Sequence, residues 1–264
     1  MLRWQKVCVL AACLALISYA YVRTDGFSPF CVMAPLSVHP SETASLEVQR
    51  ILAQPFSYLG KGRQCFVFSS ADEQYVLKFF NKRYIEDPWY AVFLPKERQK
   101  RMKRRQFYEQ SYPLAMREFG EEICYLHLGV SKQMPTIWVA DHSGRVHQMD
   151  LNEFPFVLQR KGHLLYQGWE MVYFKEGIGG LQREVNAYLT LVHQRIQKCV
   201  ADADNDVEHN WGYCEGKLVH LDPGRLYYDP TLVNEARRQE EWSRATRQIA
   251  EWLSKNYAIQ IYQR

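Results

Sequence analysis

The segment GKLVHLDPGRL, Gly216–Leu226, constrains this chain more than any other. Leu218, Val219 and Leu221 form an apolar run that delivers one carboxylate, Asp222, into a Pro-Gly turn. A strand that ends this way holds an acid at the point where the chain must reverse. Asn210 stands twelve residues upstream of Asp222, behind the acids Asp202, Asp204 and Asp206. Such side chains can assemble oxygen ligands for a hard cation such as Mg²⁺. At 264 residues the chain can fold one large domain or two lobes around that turn.

The N-terminus has a different character. Arg3 and Lys6 precede Val7–Val22, a stretch without charge. As a helix it spans roughly 24 Å against a hydrocarbon core of about 30 Å, so with Trp4 at one interface it reads as a short single-pass anchor. The rival is a cleaved signal peptide, with Ser18 and Ala20 as a small-x-small site and a secreted domain as the result. Too little apolar sequence precedes Cys13 for lipoprotein acylation. The positive flank predicts an N-terminus inside and a non-cytoplasmic domain, and Arg23 on the far side weakens that asymmetry.

The net charge of +4 does not argue for nucleic acid. Pro95–Gln106, however, gathers seven Lys/Arg against one Glu. Lys96 to Arg105 can meet an anionic lipid surface or an acidic partner, and the alternative is a solvated helix face. Outside the apolar segment Cys31, Cys65, Cys124, Cys199 and Cys214 have no disulfide-framework spacing, and no CxxC suggests zinc. Cys124 and Cys199 read as buried thiols in helices.

Thr24 to about Ser45 is rich in Pro, Ser and Thr and reads as a linker, with a short helix starting in SETASLEVQRIL. FSYLGKGRQCFVFSS and DEQYVLKFF read as strands. Asp87–Arg105 reads as a polar insertion, and QFYEQSYPLAMREFGEEICYLHLG as largely helical, stopping at Gly129. PTIWVADHSGRVHQMDL and FPFVLQRKGHLL read as strands, LQREVNAYLTLVHQRIQKCV as a helix, KLVHLD as a strand, and Pro230 to Tyr257 as a last helix. Early strands with one inserted helix, then mainly helices, make an α+β chain. Its expected divisions are an anchor or signal segment over 1–23, a linker over 24–50 and a domain over 51–264, split near residue 162.

Gly60 and Gly62 let the backbone approach a phosphate, although most such glycine pairs between strands are plain turns. Lys78 lies inside the apolar YVLKFF; buried it needs a carboxylate, and the alternative is a solvated strand face. Glu121 and Glu122 are the candidate partners, and their spacing leaves open which one faces the sheet. The acid-rich DADNDVEHN lacks the Gly and Glu positions of an EF-hand. The His residues lack metal-ligand spacing, and neither GxSxG nor a Cys/His pair points to nucleophilic catalysis.

In order, these pieces resemble the protein-kinase-like superfamily, in its atypical branches. GKGRQCFVF resembles the glycine-rich loop, VLK the strand bearing the phosphate-contacting Lys78, and QRKG the hinge. DADNDVEHN resembles the catalytic loop and LDPG the metal-binding turn. The resemblance spans about Phe56 to Asp229. It implies a bilobal α+β fold, with a small β-rich N-lobe and a reduced helical C-lobe, and a membrane-anchored phosphotransferase using ATP and Mg²⁺. Gly60, Gly62 and Lys78 would hold phosphates, Glu121 or Glu122 would orient Lys78, and Asn210 and Asp222 would hold the metal. Asp204 would orient the hydroxyl of a protein or small-molecule acceptor. The chain departs from the pattern: HRD is missing, Asn205 stands five residues before Asn210 where the catalytic Asp belongs, and APE is absent. The alternative is an inactive, membrane-tethered kinase-like scaffold that recruits a partner.

Overall fold

A computed structural model describes residues 2–35, 43–87, 93–120, 122–204 and 206–257. The chain is α+β and divides into two compact units, 1–105 with 123–161 and 106–122 with 162–264.

Unit 1 opens with helix α1 (Leu2–Arg23), whose stretch Gln5–Arg23 is long and apolar enough to cross a membrane, with mean hydropathy 1.7 and none of it buried. Helix α2 (Leu46–Leu52) is capped by Ser45, whose Oγ accepts from Val48 N–H at 3.2 Å. Strands β1 (Phe56–Lys61), β2 (Cys65–Ser70) and β3 (Tyr75–Phe80) precede the single turn α3 (Lys82–Ile85) and helix α4 (Pro95–Phe119). Then follow β4 (Ile123–His127), β5 (Thr136–Ala140), β6 (Val146–Asp150) and β7 (Phe156–Arg160). The seven strands form one sheet in the order β4-β7-β3-β2-β1-β5-β6, antiparallel except for β1 with β5.

Register sorts the side chains of this sheet. Phe66, Phe79 and Phe156 lie in one row and Phe68, Leu77 and Leu158 in another. Directly paired residues share a face, and alternate residues along a strand share it too. This face is covered by Val48, Ile51 and Leu52 of α2 and by Phe27, whose ring meets Phe66 at 5.2 Å and Phe68 at 4.9 Å. Burying each such side chain stabilises by about 1.5–3 kcal/mol. The stretch expected to be a linker therefore contributes Phe27, Cys31, Val32 and Met33 to the buried interior.

Unit 2 takes α4 from Gln106 onward. It continues with β8 (His163–Leu164), α5 (Leu165–Gln197), β9 (Val200–Asp202), the single turn α6 (Val207–Asn210), β10 (Trp211–Cys214), β11 (Lys217–His220), β12 (Leu226–Tyr228) and α7 (Glu235–Tyr257). Two small sheets result, β11-β10-β8 and β12-β9. Leu181, Val185, Tyr188, Val192 and Ile196 recur at three and four along α5, and Ala245, Ile249 and Leu253 recur at four along α7; these stripes share one core.

Several expectations need correction. The helix expected to run to Gly129 ends at Phe119, and Ile123–His127 is a strand with alternating burial, so Glu122 stands in a bend. Gly120 interrupts the helix, and the period-two pattern of Ile123, Tyr125 and His127 then governs. Glu121 lies outside the described residues. The basic run at the end of the expected polar insertion forms the first turns of α4, in line with its reading as a helix face. Helix α5 begins at Leu165, well before Leu181, and accommodates Gly177 at φ 66° as a kink. Cys124 sits in β4 and Cys199 follows α5 at φ 56°, so neither is helical. The seven Cys are free thiols.

Candidate functional site

The acidic loop of unit 2 starts where β9 ends. Asp202 is buried; its backbone N–H donates to Glu241 Oε1 of α7 at 3.0 Å. Its Oδ1 accepts from Asp204 N–H at 2.8 Å, and its Oδ2 lies 3.1 Å from His220 Nε2. Burial pushes the Asp202 carboxyl up, but the His220 hydrogen bond, with the His220 and Arg195 charges, outweighs it and holds the group below the ordinary carboxylate range.

From that clamp the loop reaches Asn210. Asp206 caps α6 through His209 N–H at 3.3 Å. Asn210 is buried, its Nδ2 donating to the Asp204 carbonyl at 3.4 Å. Its own carbonyl accepts from Leu221 N–H at 2.7 Å and Asp222 N–H at 3.3 Å. Two backbone hydrogen bonds thus tie the Asn to the Asp-Pro-Gly turn. Asp222 Oδ1 accepts from Gly224 N–H at 3.3 Å, closing the Asx turn that the Pro-Gly pair favours, and from the Tyr112 hydroxyl at 3.3 Å. Asp204, 35% exposed, has its Oδ2 3.7 Å from Arg225 Nε. The structure therefore brings Asp204, Asn210 and Asp222 into one bonded set. Of the acids in the run, the sealed Asp202 anchors the loop while Asp204 faces outward. Strand β11 stops at His220, so Asp222 sits two residues beyond the strand expected to carry it.

In unit 1 Lys78 lies at the centre of β3 and is 8% exposed, which rules out the solvated-face expectation. Val67 and Val157 flank it in register, and Ser69, Val76 and Gln159 form the next row of the same face. This is the sheet face opposite the phenylalanine rows. Gly60 and Gly62 bracket the turn-proximal end of β1. A Cβ at Gly60 would meet nothing within 4 Å, and one at Gly62 only a backbone nitrogen at 4.0 Å. The fold itself does not demand glycine at either place.

No protein-family model matches the chain, and no curated protein matches it. Among solved structures it is similar to the crystal structure of WbdD: 13% identity, 75% of this chain and 40% of that chain covered, TM-score 0.36. The chain spans less than half the length of WbdD, and a likeness of this degree transfers no residue role.

Glu122 is half-buried in the bend before β4 and belongs to unit 2, whereas Lys78 belongs to unit 1. Among the described residues no group of three His, Cys, Asp or Glu could hold a metal ion by itself. Sequence reasoning missed Tyr112 and the Asp202–His220 pair; both are long-range contacts that no local spacing announces. The basic helix splits its charges. Arg101 Nη1 donates to the Arg83 and Glu86 carbonyls at 2.8 and 2.6 Å, while Lys96, Arg98, Lys100, Lys103 and Arg105 are exposed.

Proposed function

We propose that the chain is a divergent, membrane-anchored kinase-like protein that binds ATP with Mg²⁺ and transfers phosphate to an acceptor hydroxyl. The observation that carries this reading is the bonded set of Asp204, Asn210 and Asp222. Lys78, buried in the third strand of a sheet, supports it, since a phosphate-contacting lysine belongs on such a strand. Unit 1 supplies the Gly60 and Gly62 backbone and the Lys78 ammonium for phosphate oxygens. The reading also calls for a carboxylate to orient that ammonium, the role expected of Glu121 or Glu122. In unit 2 the Asn210 amide oxygen and the Asp222 carboxylate are an oxygen pair of the kind Mg²⁺ takes alongside substrate phosphates. When bound, that cation neutralises phosphate charge. Asp204 accepts the acceptor's proton as the hydroxyl attacks. The α1 helix would place the domain at a membrane, on the non-cytoplasmic side by its flanking charges.

A second reading has its own observation. Asp204 stands six residues before Asn210 rather than five, and its carboxylate is 3.7 Å from Arg225. An inactive scaffold tolerates both, and its exposed basic helix would then meet anionic lipid or an acidic partner.

Thermal melting of the full chain in detergent separates the two. At a nucleotide concentration 100 times its dissociation constant, ATP with Mg²⁺ stabilises by about 2.7 kcal/mol. The expected shift disappears in Asp222→Ala and in Lys78→Met. Gly60→Ala with Gly62→Ala should weaken it while leaving the unliganded midpoint in place, because both Cβ positions are open. Wild-type protein that melts cooperatively and shows no shift would leave the scaffold reading standing.

A further inference from the structure

The end of α1 and the basic start of α4 are joined through one short stretch of unit 1. The Tyr21 ring, two residues before α1 ends, meets the Lys61 ammonium at 5.1 Å and the Arg83 guanidinium at 5.3 Å, both within cation–π range. Arg83 belongs to the single turn α3, and its carbonyl accepts from Arg101 Nη1 of α4 at 2.8 Å. The same Nη1 donates to the Glu86 carbonyl at 2.6 Å. Arg104 donates to the Tyr84 carbonyl at 3.2 Å, with its guanidinium 4.1 Å from the centre of the Tyr84 ring. Arg83 thus touches the anchor with its side chain and the basic helix with its backbone.

These bonds fix which side of the helix is left outward. Arg101 and Arg104, three residues apart, turn toward α3. Lys96, Lys100 and Lys103 then run along one flank and Arg98, Met102 and Arg105 along the other, all of them exposed. Lys100 pairs with Glu97 at 3.0 Å and Arg98 with Asp87 at 3.5 Å, exposed contacts of small worth that a phosphate can replace. Seven Lys/Arg against one Glu within Pro95–Gln106 keep the surface positive. Phe93, 76% exposed, and Leu94 stand at the start of the same helix. Cations interspersed with exposed Phe, Leu and Met are the composition of a helix that lies in a bilayer interface. Tyr side chains such as Tyr21 mark the level at which a spanning helix leaves the hydrocarbon. An acidic protein would match the charges, but the link to α1 holds this surface beside lipid whether or not such a partner is present.

We propose that the first turns of α4 dock on anionic phospholipid headgroups around the point where α1 leaves the bilayer. The exposed Lys and Arg meet lipid phosphates, and Phe93 and Met102 enter the interface. The tether makes the docking intramolecular, so α1 supplies the encounter and the basic turns set the orientation of unit 1 on the membrane. The inference rests on the membrane anchor of the proposed function and is independent of phosphotransfer.

The test places the full chain in nanodiscs of phosphatidylcholine, with and without phosphatidylglycerol. Mass spectrometry compares acylation of Lys96, Lys100 and Lys103 with that of the exposed Lys132 and Lys255 in the same molecules. Phosphatidylglycerol should slow the three helix lysines by about fivefold or more relative to these references, because a single basic residue near an anionic surface already gains about that factor. Salt at about 1 M, where the Debye length is near 3 Å, should remove most of the protection. Arg98→Gln with Arg105→Gln, which leaves Arg101 and Arg104 on α3, should lose most of it with the melting midpoint unchanged. Helix lysines that label alike in both discs overturn the docking and leave an acidic macromolecule as the occupant. Protection undiminished in the double variant overturns it equally. A chain that fails to co-elute with either disc overturns the α1 anchor itself, and the docking with it.

Discussion

In unit 1 the rows Phe66–Phe79–Phe156 and Phe68–Leu77–Leu158 contain no ionisable atom. The interior of unit 2 instead sets Arg195 against Glu241 at 3.0 Å, with the two side chains 3% and 0% exposed. Rings need only volume and burial, so a neighbour of similar size can replace them at modest cost. A buried charge needs one particular partner, and losing that partner leaves an ion stranded in low dielectric. Glu241 also holds the backbone of Asp202, where the acidic loop begins, and Arg244 donates to the Asp202 carbonyl beside it. The phenylalanine face of the unit 1 sheet is therefore tolerant, while unit 2 places charges where one loop must be held still.

The largest expected effect tests that contrast directly. Glu241→Ala should destabilise by about 3–5 kcal/mol, because it strands Arg195. Leu77→Met, in the ring face of unit 1, should cost less than about 1.5 kcal/mol. Replacing both charges, Arg195→Met with Glu241→Leu, should recover most of the loss. Denaturant unfolding followed by tryptophan fluorescence reads both variants, since Trp138 lies in unit 1 and Trp169, Trp211, Trp242 and Trp252 lie in unit 2. A Glu241→Ala protein as stable as Leu77→Met would break the comparison.

Acid provides the next test. The Asp202 carboxyl is pushed up by burial but held lower still by His220 and Arg195, so its net shift is downward. A depressed folded value means that its stabilisation is fully present above the ordinary Asp range near 3.9 and is lost as pH falls through the folded value. Asp141 in unit 1 carries a shift of the same sign, burial again being outweighed, there by His147 and Ser143. Acid alone therefore does not distinguish the units; Asp202→Asn does. That variant should melt lower at neutral pH and lose less on acidification, as read by tryptophan fluorescence. An acid slope identical to wild type would mean that Asp202 is not a net stabilising carboxylate.

The same contrast explains what could be read in the sequence. Strands β1 to β3, the β5–β6 hairpin and helix α7 were legible because each carries a local signal, whether alternation, a continuous apolar run or helical spacing. Strand β4 was not, because Leu114, Phe119, Ile123 and Leu126 also fit a helical stripe until Gly120 interrupts it. Phe27 and Val32 were hidden among Pro and Ser, whose local signal says linker while the packing is long-range. At the candidate site, the Asp-Pro-Gly turn and the Asn behind it were visible as local chemistry. Arg195 with Glu241, and Tyr112 with Asp222, pair across 46 and 110 residues, a separation that no motif spacing encodes. Lys78 was identified as a candidate from its apolar neighbours, and only the β2–β3–β7 register shows which face it occupies.

The smallest effect concerns the junction between α1 and the sheet of unit 1. Gly26, at φ 72°, closes the end of α1 by donating to the Tyr21 carbonyl at 2.8 Å, and a Cβ there would strike the Tyr21 ring at 2.6 Å. The neighbouring Asp25 accepts from the Tyr58 hydroxyl at 2.6 Å and from Lys61 Nζ at 2.6 Å. Burial alone would raise the Asp25 carboxyl; hydrogen bonds from Lys61 and Tyr58 reverse that and lower it. Lys61 is the residue between Gly60 and Gly62, so the end of α1 is bonded to the very hairpin proposed to meet phosphate. These side chains are 26% and 39% exposed, and an ion pair so placed contributes at most about 1 kcal/mol. Asp25→Ala should thus barely move the melting midpoint while speeding amide hydrogen exchange over Tyr58–Gly62, a local opening rather than a global one. Exchange left unchanged would show that the hairpin is held by strand pairing alone. A loss of stability as large as that of Glu241→Ala would mean that unit 1 also depends on a single charge partner, and that the division between a tolerant sheet and a charge-pinned loop does not hold.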